Sequence, residues 1–123
     1  MSIRTERVAS LIKEEIGNIL IREYNDPANG FITVTEVRVT PDLRIARIYF
    51  SIFGADGIQV RTMAMLEGEK PHIRGMVASR LTLRFVPVLE FYLDDTMQRV
   101  ERINTLIRKI HDGEGSPGNE PSS

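Results

Sequence analysis

The chain of 123 residues contains no cysteine. Disulfides, thiolate chemistry and cysteine-ligated zinc are thereby excluded, which fits a reducing compartment. No apolar run approaches the about 20 residues needed to cross a bilayer, and the opening MSIRTERVAS has no apolar signal core. A cytoplasmic protein with no membrane partner is expected. Histidine occurs only at His72 and His111, far apart and with no triad around either. The neighbouring carboxylates Glu14-Glu15 and Asp94-Asp95 point in different directions on a helix, so neither pair offers two acids to one substrate. There is no Walker-type loop and no zinc-binding helix motif. The expectation is therefore a protein without catalytic residues, metal or cofactor, and not an enzyme.

What is present describes one ordinary folded domain. Apolar and charged residues make up 41% and 27% of the chain, the balance of a globular protein rather than a disordered one. The final stretch DGEGSPGNEPSS has no apolar residue, so a folded domain over residues 1–111 and a disordered acidic tail over 112–123 are expected. Setting aside the tail's Asp112, Glu114 and Glu120 turns the net charge of −1 into about +2. From Ile58 to Leu93, Arg61, Lys70, Arg74, Arg80 and Arg84 outnumber Glu67, Glu69 and Glu90. This is a mild local basic bias, weaker than that of a DNA-coating protein.

Hydrophobic periodicity sets out the elements. Val8, Leu11, Ile12, Ile16, Ile19 and Leu20 recur at helical spacing and predict a helix over residues 3–24, stopped by the turn-forming run Asn25 to Gly30. Residues 31–40 and 43–53 read as strands joined by the Thr40-Pro41-Asp42 turn into an antiparallel hairpin. In the second strand Ala46, Ile48, Phe50 and Ile52 form the inner face; in the first, a change of apolar parity predicts a bulge near Thr35–Glu36. Asp56 is the expected N-cap of a helix over 58–67. A second helix over 71–81 follows the interruption Gly68-Glu69-Lys70-Pro71, with Ile73, Met76, Val77 and Leu81 inward. Pro87 starts a strand over 88–93 that pairs in parallel with the second strand. Asp94, Asp95 and Thr96 are placed to cap a last helix over 96–110. The fold class is α+β, in the order α-β-β-α-α-β-α, with a three-stranded mixed sheet and helices mainly on one face.

Two glycine patterns bear on nucleic acid. The G-x-x-G from Gly54 to Gly57 leaves a strand rather than joining two helices, so it reads as a turn and not as the backbone clamp of a KH module. The interhelical position is Gly68 to Pro71, where the second glycine is missing and proline has no N–H to offer a phosphate. Any RNA contact there falls to Lys70 and Arg74, one helical turn apart.

Several pieces, in order and spacing, resemble the ribosome-binding factor A family. They are Arg7-Val8-Ala9, Thr33-Val34-Thr35, Pro41-Asp42-Leu43 with Ala46 and Ser51 beyond, and Leu83-Arg84-x-Val86-Pro87-x-Leu89-x-Phe91 followed by Asp94. The resemblance covers the chain up to about Ile110. It implies a KH-like type II domain with the interhelical loop replaced by a kink, usually of small residues, where this chain has Glu69-Lys70-Pro71. It also implies a monomer that binds the immature 30S ribosomal subunit and its 16S rRNA, beside other assembly factors, and assists late folding and 5′-end processing without making or breaking bonds.

On that reading the RNA-binding candidates are Arg4, Arg7, Lys70, Arg74, Arg80 and Arg84, with Arg99, Arg102 and Arg108 in second rank. Arg84 ranks first, because a connector just before a proline-fixed strand can hold its guanidinium in place. The competing structural role is an ion pair with Glu90 or a helix carboxylate. Reversing Lys70, Arg74 and Arg84 together is expected to weaken subunit binding and leave the melt nearly unchanged. The alternative function is a protein-docking module on ribosomal proteins or assembly factors, favoured by the near-neutral charge.

Overall fold

The computed structural model describes residues 3–94. The expected helix over 96–110, the capping roles of Asp95 and Thr96, and the tail lie outside the described residues. Within them the order is α1 (Ile3–Glu23), a short 3-10 turn (Pro27–Asn29), β1 (Phe31–Val39), β2 (Ile45–Phe53), α2 (Ile58–Gly68), α3 (Lys70–Arg80) and β3 (Val88–Leu93).

The sheet order is β1-β2-β3, with β1 and β2 antiparallel and β2 and β3 parallel. The alternation in β2 does what period two requires: Ala46, Ile48, Phe50 and Ile52 are buried beneath the helices. Ile12, Ile16 and Ile19 of α1, Leu66 of α2, Ile73 and Val77 of α3, and Leu89 and Phe91 of β3 complete the core. Phe50 and Phe91 meet edge to face at 5.0 Å. Leu11, expected on the inner stripe of α1, is exposed, while Thr5 is buried. The expected bulge is present as a register shift between Val34 and Glu36. The hydroxyl of the bulged Thr35 lies 2.7 Å from the Asp94 carboxylate and so ties the bulge to the end of β3.

Three boundaries differ from expectation for local reasons. The β1–β2 turn is closed by the Leu43 N–H donating to the Thr40 carbonyl at 2.8 Å, and Leu43 itself sits at φ 62. That left-handed residue belongs to the turn, so β2 begins at Ile45 instead of Leu43. Asp56 does not cap α2: Gly57 holds the N-cap position at φ 82 with no side-chain bond, because glycine alone reaches that conformation without strain. Finally, α2 and α3 are separated by Glu69 alone. Its N–H donates to the Met65 and Leu66 carbonyls and its carbonyl accepts from Ile73, so the backbone stays bonded through the kink despite Pro71.

Candidate nucleic-acid interface

The kink is braced from α1. The Tyr24 hydroxyl donates to the Glu69 carboxylate at 2.7 Å, and burial first, then that bond, holds the phenol well above its ordinary pKa. His72 at the start of α3 lies 3.2 Å from Glu23. Arg74 joins α3 to the connector over residues 81–87 and Lys70 lies against Phe91 of β3, while Arg80 ends α3 and Arg84 lies in the connector.

Their engagements differ. Lys70 is half-buried, 2.8 Å from Glu67, with its ammonium 5.2 Å from the Phe91 ring centroid. Arg74 donates from Nε to the Pro87 carbonyl at 3.1 Å and from Nη2 to the Val86 carbonyl at 2.7 Å. A guanidinium suits this task, because its planar fork satisfies two consecutive carbonyls just where proline has removed the connector's own donor. Arg74 therefore fixes the connector. Reversing it would disturb the fold as well as any binding, which revises the expectation that the triple reversal leaves the melt unchanged.

Arg80 and Arg84 are exposed and pair with no carboxylate among the described residues. Glu90, the competing partner for Arg84, is occupied by Arg47 at 3.2 Å and the Tyr92 hydroxyl at 2.7 Å. Instead the Arg84 guanidinium lies 5.7 Å from the ring centroid of Phe85, which is 75% exposed. Arg4 and Arg7 stand exposed on the first turns of α1, a separate element, also without a carboxylate partner among the described residues. Arg99, Arg102 and Arg108 lie outside the described residues.

Sequence reasoning missed two residues at the two ends of the connector's path, Phe85 beside Arg84 and Arg44 beside Val88. Phe85 carried a signal that could have been used: an aromatic beside an arginine in a short connector, with no core position open to it. Arg44 carried none. It is exposed in the β1–β2 turn and reaches the connector only because the parallel β2–β3 pairing makes the Val88 N–H donate to its carbonyl at 2.8 Å.

The outer face of the sheet is a second basic surface, with its charge neutralised. Tyr49 and Tyr92 stack at 5.4 Å, and Arg38 lies 6.0 Å from the Tyr49 centroid. Arg38 is bonded to Glu36, and Arg47 to Glu90. The Tyr92 hydroxyl, then Arg47, hold the Glu90 carboxyl below its ordinary range, so it stays ionised against its arginine.

A β-α-α-β unit (β2, α2, α3, β3) preceded by α1 and β1, with a bonded kink in place of an interhelical phosphate clamp, defines a KH-like domain of the second type. The family model for ribosome-binding factor A matches residues 4–107, and the chain belongs to that family. It is 42% identical over 124 residues to ribosome-binding factor A of Chloroherpeton thalassium, covering 98% of this chain and 97% of the relative. To that of Chlorobium phaeobacteroides it is 42% identical over 113 residues, covering 89% and 96%. Among solved structures, a putative ribosome-binding factor A from Thermotoga maritima superposes with a TM-score of 0.62 at 26% identity, covering 75% of this chain and 88% of that one. A homology model of the Thermus thermophilus ribosome-binding factor A, fitted into the cryo-EM map of a complex with 30S, gives 0.56 at 22% identity, covering 77% and 96%, a likeness of fold.

Proposed function

We infer that this chain is a non-enzymatic maturation factor that binds the immature 30S subunit through its 16S rRNA and assists late rRNA folding and 5′-end processing. One observation carries the reading: an Arg84 with no carboxylate partner among the described residues beside the exposed Phe85, on a connector braced by Arg74. An exposed ring next to a free guanidinium suits single-stranded RNA, where a base stacks on the ring and the cation meets the phosphate. The family's Thermus thermophilus member, in its 30S complex, supports the choice of partner.

The test is binding to purified small-subunit precursor particles. Arg84→Glu weakens binding by about tenfold or more, equivalent to about 1.4 kcal/mol, with an unchanged melt. In a salt titration the wild type loses affinity steeply, because phosphate contacts release counterions, and the variant's slope is shallower by about one contact. An affinity insensitive to salt and to Arg84 would favour docking on ribosomal proteins instead.

A further inference from the structure

A surface unrelated to the connector lies at the opposite edge of the sheet. Between α1 and β1 runs an open cleft of about 530 Å³ whose lining includes Gly17, Leu20, Ile21, Phe31, Ile32 and Val34. One of its large apolar side chains is far from buried: Ile21 is 69% exposed. Its outer wall is an edge strand, since β1 ends the sheet order and pairs only with β2 among the described residues. The ladder also fixes which backbone groups face outward. The Thr40 N–H donates to the Ile45 carbonyl, so Ile45 turns its backbone toward β1. Alternation, carried past the bulge through the pairs Thr33–Ser51 and Phe31–Phe53, then leaves the amides and carbonyls of Ile32 and Val34 pointing away from β2, along the cleft.

Gly17 is the third, independent observation. Glycine in the interior of a long helix costs about 1 kcal/mol relative to alanine, and a Cβ here would meet nothing within 4 Å. Neither crowding nor a positive φ accounts for a glycine at this position. Its effect is to keep the helix wall of the cleft low.

We propose that this cleft binds an extended peptide of a partner protein, which adds as a strand to residues 31–34 of β1 and places alternate apolar side chains under α1, against Ile21 and over Gly17. Free strand donors and acceptors beside an apolar groove are the two components of recognition by strand addition. The extent of the edge favours a short peptide over a second copy. Beyond Val34 the bulge breaks the ladder, and Glu36 and Arg38 charge the strand, devices that oppose edge-to-edge pairing. Four residues of pairing fall well short of the about 800 Å² per partner that a stable dimer buries.

The probe is a pool of ten-residue peptides with Val, Ile or Phe at alternate positions and Thr or Lys between them, titrated into the labelled full chain and followed by amide NMR. Saturable shifts are expected at Ile32 and Val34 and on α1 around Gly17 and Ile21. Gly17→Leu, whose Cβ meets nothing within 4 Å and whose longer side chain narrows the cleft, weakens binding by at least about tenfold with an undiminished melt. Ile21→Thr, at an exposed position, also weakens it, and Arg84→Glu leaves it unchanged, separating this site from the connector. N-methylation of alternate peptide residues abolishes binding. Absence of saturable shifts, equal affinity of Gly17→Leu and wild type, or shifts that track the concentration of the chain alone and so report pairing of two copies, would each overturn the proposal.

Discussion

The connector at the end of α3 and the outer face of the sheet both carry arginine beside aromatic rings, yet they present opposite electrostatics. On the sheet, Arg38 and Arg47 are matched by Glu36 and Glu90, cross-strand or near neighbours fixed by register, and the tyrosines stack on each other. At the connector, Arg84 has an exposed phenylalanine and no carboxylate among the described residues, and the nearby Arg74 is spent on backbone. A regular ladder places partners opposite one another whether or not a ligand exists. A connector has no such register, and a cation there stays free unless the fold supplies an acid. The lesson is that a count of basic residues along a sequence misjudges a binding face; what matters is which cations the fold has already used.

The sharpest way to break this comparison is to release the connector. Arg74→Ala leaves the Val86 and Pro87 carbonyls without their donors and is expected to lower stability by about 2 kcal/mol, several degrees in melting temperature for a domain of this size. Arg74→Lys recovers part of it, since an ammonium is a point charge and not a fork. Precursor binding should fall in proportion to the disorder of the connector even though Arg84 is intact. A variant that melts normally would show Arg74 to be a free cation, and the distinction between used and unused charge would fail. Thermal denaturation beside a binding isotherm decides it.

Tyr24 sharpens the comparison from the other end of α3, where the kink is held. Removing its hydroxyl with Tyr24→Phe is expected to cost about 1 kcal/mol, the ring's burial being kept. Because burial and the Glu69 bond raise this phenol above its ordinary value of 10.0, the unfolded chain releases a proton near pH 10 that the folded chain retains. The contribution is complete below pH 10 and is lost as the pH rises past it. Denaturant unfolding across alkaline pH should therefore decline more steeply for wild type than for Tyr24→Phe; parallel curves would remove the phenol from the bracing of the kink.

How much of this was legible in the sequence follows from the range of each interaction. Helices, strands, the bulge and the parallel third strand were readable, because period, turn chemistry and Pro87 act locally and agree with one another. The start of α2 was misread: Asp56 is a good capping residue by type, but the left-handed Gly57 sets the path of the chain before a side chain can reach back. Arg84 was singled out for a local reason, its place before a proline-fixed strand. The backbone engagement of Arg74 was not legible, because its partners are carbonyls 12 and 13 residues away, which only the return of the chain brings within reach. Arg44 was missed because strand pairing creates its position. Charges can be counted in a sequence, but their engagements are tertiary.

The smallest expected effect bears most directly on the two surfaces. Arg38→Gln and Arg47→Gln, separately or together, are expected to change precursor affinity by less than about twofold and to leave the melt nearly unchanged, as for exposed ion pairs in general. Each substitution frees a carboxylate, so the net charge shifts by one unit and repels RNA slightly; at physiological salt that effect is screened beyond about 8 Å. Arg84→Glu shifts the net charge by two units, as the double sheet variant does, so a large loss there with none in the double variant cannot come from overall charge. It would have to come from contact. Should the sheet variants instead lose tenfold with an unchanged melt, the stacked tyrosines and their arginines are the RNA surface, and the ion pairs with Glu36 and Glu90 are latches that RNA must open.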